Sequence, residues 1–90
     1  MIIEGKEFTA HKIPTQNTNV LMISGSNGFL ACAYINIEVA NKRDDVCAIV
    51  SGVKTHEDMI ISKVINVSQA ASEAGISIGM KGKDALLLMH

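Results

Sequence analysis

Two cysteines, three histidines and one glycine–lysine–threonine corner are the groups through which this 90-residue chain could do covalent, acid–base or phosphate chemistry. A cysteine nucleophile needs a base within hydrogen-bond reach, most often a histidine. His11, His56 and His90 are scattered along the chain, with no carboxylate partner evident from sequence and no metal-ligand spacing. Cys32 and Cys47 are too far apart for a zinc knuckle or a CxxC redox pair. Both lie in apolar surroundings, where reduced thiols behave as small hydrophobes. Cys32 is the candidate catalytic residue, and the competing reading makes both thiols buried and inert.

The corner is "SGVKTHED", Ser51 to Asp58. A nucleotide-binding P-loop needs GxxxxGK followed by Ser or Thr, so that successive glycines let backbone N–H groups wrap the phosphates. Here the upstream glycine is missing and Gly52 does not directly precede Lys54, which excludes that loop. Thr55 with Asp58 three residues on matches a helix capping box, in which the threonine hydroxyl and the acid satisfy each other's backbone N–H groups. Glu57 and Asp58 also put negative charge at the positive end of the helix dipole, where an anion would otherwise sit. Asp44 and Asp45, with Glu38 nearby, have oxygens suited to a hard cation. The EF-hand spacing is absent, and Lys42 and Arg43 neutralise the pair locally. No metal site and no cofactor is expected.

These groups must be held by recognisable elements. "EFTAHKI", Glu7 to Ile13, reads as an edge strand ended by Pro14. "VLMIS" and "FLACAYINI" flank Gly25-Ser26-Asn27-Gly28, and two apolar runs around such a turn cluster predict a β-hairpin over 20–37. The second run is apolar on both faces, which requires cover on both faces. One of those covers is expected to be another subunit. Glu38 to Arg43 reads as a short helical turn, and residues 46–52 as a further buried strand. Ile60, Val64, Val67, Ala71 and Ala74 then recur at helical spacing, predicting a long amphipathic helix over 56–74 closed by Gly75 as a left-handed cap. A short C-terminal helix is expected over 82–89.

The bulk numbers bound what such a chain can be. Ninety residues make one domain, 1–90. The composition is 48% hydrophobic but 3% aromatic, so the core is aliphatic. So high an apolar fraction in so short a chain points to apolar surface covered by a partner copy, a common route to stability at this size. The net charge of −1, with the signs interspersed, lacks the basic face of a nucleic-acid binder. No apolar run approaches the roughly 18 residues of a membrane span. The N-terminus lacks a signal peptide's charged start and long apolar region, and a cytoplasmic location is expected.

The order of pieces is also familiar. Gly28-Phe29-Leu30-Ala31-Cys32-Ala33-Tyr34, then "AIVSGVKTHEDMI", then a tail "AASEAGISIGMKGKDALLLM" resembles the YunC-like family, small bacterial and archaeal domains of unknown function. The resemblance covers nearly the whole chain. Its most specific parts are Gly52-Val53-Lys54-Thr55 and the pattern of Gly75, Ile76, Gly79, Met80, Gly82, Ala85 and Leu86. It implies a β-rich N-terminal tetramerisation region, here residues 1–37. Members tend to carry Asp where this chain has Asn36, so an acid's role is not carried over to that position. If the strand runs through residue 36, Cys32 and Asn36 face the same side of it.

Together these residues predict an α+β domain: an N-terminal antiparallel sheet, one further strand and a long helix on one face. The expected role is a non-enzymatic, homo-oligomeric binding or assembly module. Its expected ligand-binding residues are Asn36, Gly52, Val53, Lys54 and Thr55. The alternative is a small enzyme with Cys32 as nucleophile near the Gly52–Thr55 corner.

Overall fold

The computed structural model describes residues 1–90. A two-stranded ribbon of β1 (Ile2–Ile3) and β2 (Lys6–Glu7) opens the chain. Its function in the fold is to seat Ile3 and Phe8 in the core. A five-stranded sheet follows, in the spatial order β3 (Thr9–Pro14), β4 (Asn19–Gly25), β5 (Gly28–Cys32), β6 (Cys47–Val50) and β7 (Asn66–Val67). The first three strands form an antiparallel meander, and the expected hairpin is present with Ile23 opposite Leu30. β5 and β6 run parallel, with Cys32 opposite Val50, and β7 closes the sheet antiparallel to β6. A parallel step needs a crossover, and here it is the helix α1 (Ile37–Lys42).

The sheet's two faces carry different cores. Leu21, Ile23, Leu30, Cys32, Ala48 and Val50 point to one face, against Met59 of α2 (His56–Ile61) and Leu86 of α4 (Gly82–Leu87). Ala31, Cys47 and Ile49 point to the other, against Ala40 of α1. The two-faced strand read from the sequence is therefore real, but its second cover is α1 of the same chain. Beyond α1, that face stays partly open: Met22 and Phe29 are half-buried at its rim. β3 is exposed along all six residues, with Ile13 62% exposed.

Three expected elements end sooner than predicted. The second hairpin strand stops at Cys32 rather than continuing to residue 37, because its pairing to β6 ends at Val50 and residues 33–35 turn away. The strand predicted over 46–52 occupies Cys47–Val50, and the C-terminal helix stops at Leu87.

The helix predicted over 56–74 is not continuous. α2 ends at Ile61, Ser62 is extended (φ −78, ψ 155), and helix resumes only in α3 (Gln69–Glu73). Between them the chain pairs with β6, placing Val67 opposite Ala48 and Asn66 opposite Ile49. Ile65 donates to the Ile49 carbonyl at 2.8 Å, and Ser68 to that of Cys47 at 2.9 Å. Three β-branched residues, Val64, Ile65 and Val67, favour that extended backbone. Satisfying the exposed side of β6 outweighs the local helical period. Gly75 does terminate α3 in the left-handed region, with φ 94.

α4 reaches the core through Gly82. A Cβ there would overlap the Met59 carbonyl oxygen and meet Leu30 Cδ2 at 3.0 Å, so only glycine lets the helix come this close.

Candidate functional site

β5 and β6 end side by side, at Cys32 and Val50. From there the chain leaves in opposite directions. β5 leads to α1 on one face of the sheet, and β6 leads to α2 on the other. Where two parallel strands send their connections to opposite faces, a crevice opens outside their carboxyl ends, and α/β folds place ligands there. A cavity of about 310 Å³ occupies this position.

Its walls come from three segments. Cys32, Ala33 and Tyr34 line it from the exit of β5, where Ile35 N–H donates to the Cys32 carbonyl at 3.1 Å and forms the turn. Gly52 and Val53 line it from the exit of β6. Gly52 has φ 69 with open space where a Cβ would be, so glycine is required by backbone conformation and leaves its peptide bare to the crevice. Thr18 and Asn19, at the start of β4, form the third wall.

The predicted site residues are thus partly brought together. Cys32, Gly52 and Val53 share the crevice. Lys54 and Thr55 stand beyond it and build the predicted capping box. Their N–H groups donate to Asp58 Oδ2 at 2.9 and 3.2 Å, and Asp58 N–H donates to Thr55 Oγ1 at 3.1 Å. The Lys54 N–H bond is the main reason the Asp58 carboxyl lies below the ordinary carboxylate range. Asn36 lies outside the crevice because the strand stops at Cys32. It is the N-cap of α1, with Oδ1 accepting from Glu38 N–H at 2.8 Å. Thr18, Asn19, Ala33 and Tyr34 escaped the sequence reading. Their only sequence signal is that they flank strand ends in a polar connector and a turn.

Cys32 is 6% exposed, and its sulfur accepts the Leu21 N–H at 3.3 Å. No histidine lines the crevice. His11 Nε2 meets Ser24 Oγ at 2.9 Å, His56 Nε2 meets the His11 carbonyl at 2.8 Å, and His90 packs edge-on to Phe8. Cys47 lies on the opposite face of the sheet, where burial first and the charge of Asp45 second push its thiol up to about 12. No three His, Cys, Asp or Glu side chains gather to hold a metal ion, the loop of Asp44 and Asp45 included. No helix is long and apolar enough to cross a membrane.

Residues 31–89 match a family described as "Domain of unknown function (DUF1805)". The chain is 30% identical to the uncharacterized protein YunC of Bacillus subtilis (strain 168), over 99% of this chain and 92% of that protein. It also superimposes, with a TM-score of 0.95 and 36% identity, on the crystal structure of a protein of unknown function from Thermoplasma acidophilum, covering 100% of this chain and 88% of that one.

Proposed function

We propose, for a chain that belongs to the DUF1805 family of domains of unknown function, a non-enzymatic, homo-oligomeric module that binds a small ligand in the crevice between β5 and β6. The carrying observation is the crevice itself: it sits outside the carboxyl ends of the one parallel strand pair, where Gly52 and Val53 of the expected ligand-binding corner meet Cys32. Binding is favoured over catalysis by what surrounds the thiol. A cysteine nucleophile needs a base to take its proton, and all three histidines of this chain are engaged elsewhere.

A second reading keeps Cys32 as a nucleophile, because it does line the crevice. It then needs a base from another copy of the chain. Native-state alkylation separates the two. At pH 8 Cys47, with its thiol near 12, is thiolate to only roughly one part in ten thousand and stays silent. Any rapid labelling therefore reports Cys32. The binding module predicts slow labelling, and a Cys32→Ala variant that keeps the same assembly. Fast, saturable labelling of Cys32 would instead support the enzyme.

Assembly is supported by the exposed β3 edge and by the half-covered apolar rim of Met22 and Phe29 beside exposed Ile13. The tetramer implied by the family resemblance is the expected state. Light scattering checks it: about four times 9.6 kDa is expected, and a mass of 9.6 kDa at micromolar concentration rejects the oligomer.

A further inference from the structure

The crevice between β5 and β6 has a chemical character that narrows what it can hold. Not one charged side chain lines it. The polar residues of its lining are Thr18, Asn19 and Tyr34, with Gly52 offering only its peptide, and the apolar ones are Ala33, Val53 and Cys32. The closest source of anion-binding donors is the peptide run after Val53. Those donors are already spent, because the Lys54 and Thr55 N–H groups both bond to the Asp58 carboxylate. The Lys54 ammonium and the Asp58 carboxylate both stand outside the lining, where they attract and offset one another. A charged ligand would give up hydration here without meeting a counter-charge, and that loss is unfavourable. A neutral ligand loses little and can still hydrogen-bond to hydroxyl, amide and peptide groups. The volume of about 310 Å³ lies at the small end of ligand cavities.

We infer that this crevice is a site for a small uncharged ligand, of the amide, heterocyclic or hydroxylated class, held by hydrogen bonds at its Thr18–Asn19 and Gly52 walls with an apolar side against Ala33 and Val53. The inference rests on the binding reading above and adds the class of ligand. The test uses the isotope-labelled full chain and matched probe triplets, each one ring bearing an amide, a carboxylate or an amine, with benzamide, benzoate and benzylamine among them. Backbone amide resonances of Cys32, Tyr34, Gly52 and Val53 report on the crevice. Amide probes are expected to shift these resonances, with affinities at least tenfold above their carboxylate and amine counterparts. Ala33→Phe, which fills the crevice from an exposed position, should abolish the shifts while leaving the thermal midpoint within a few degrees of the parent. Thr18→Val, a change of equal size, should weaken amide binding if Ala33→Phe proves unfolded. Carboxylates or amines that bind as well as the amides would overturn the uncharged class and leave the binding module standing. A panel in which no probe moves these resonances up to its solubility limit would overturn both.

Discussion

Ser68→Ala is expected to destabilise this protein far more than the loss of one hydroxyl suggests. Ser68 is fully buried, and its Oγ is shared by three partners. It accepts the Cys47 N–H at 3.0 Å and the Ala71 N–H at 3.1 Å, and it donates to the Asp45 carbonyl at 2.6 Å. The same atom thus satisfies the start of β6, caps α3 and ties down the loop before β6. Losing an N-cap costs about 1 kcal/mol. A buried donor left without a partner costs about 1–3 kcal/mol more, and Cys47 N–H is such a donor because Cys47 is sealed from water. The expected loss is about 2–4 kcal/mol. Thr55→Ala is the control: it removes an equivalent cap from α2, but its Asp58 N–H partner is at the surface and turns to water, so about 1 kcal/mol is expected. Urea unfolding gives both values, and amide exchange of Cys47 and Ala71 locates the effect. If Ser68→Ala costs no more than Thr55→Ala, with those two amides as protected as before, Ser68 is not what holds the interrupted segment against β6.

Two further outcomes follow from other contacts. Gly82→Ala puts a Cβ into the Met59 carbonyl, and because backbone cannot swing aside as a side chain can, a loss at the upper end of about 1–3 kcal/mol is expected in urea unfolding. Unchanged stability would mean that α2 and α4 are not locked together at this point. Asp58 has a folded-state value below its ordinary 3.8, so its stabilising effect is complete above that pH and disappears as pH falls through the folded value. The stability gap between the parent and Asp58→Asn should therefore be constant near neutrality and close below about pH 4; a gap that persists into strong acid would show that the carboxylate charge is not what caps α2.

How much of this could be read in advance depends on the range of the forces involved. The hairpin was legible because Gly25 to Gly28 and the apolar runs beside it act over a few residues. The capping box was legible for the same reason, as Thr55 and Asp58 see each other across one turn. The interruption of residues 56–74 was not legible, because its cause is β6, far away in sequence. The periodic residues still behave much as their spacing implied: Val64 and Ala71 are in the core and Ile60 and Val67 pack against it. Burial was read from the pattern at four of the five positions, Ala74 being exposed, while the backbone that delivers it was not. Asn36 failed by a related route. Nothing local marks Cys32 as a strand end, since the run to Ile37 remains apolar, and the end is set by where pairing to β6 stops.

The candidate site follows from the same long-range order. Cys32 and the Gly52–Val53 corner were each visible as the end of an apolar strand, but their meeting needs the parallel pairing of β5 with β6 in a register that aligns Cys32 with Val50. It also needs α1 and α2 to take opposite faces, so that neither covers the gap between the strand ends. Had both helices packed on one face, the two exits would have run together and closed it. Thr18 and Asn19 enter only because the β3–β4 turn comes back alongside the end of β5, a consequence of the meander. A chain with this alternation of strands and helices acquires a crevice at one determined place. The residue types at that place, none of them charged, are what the proposed binding of a neutral molecule rests on.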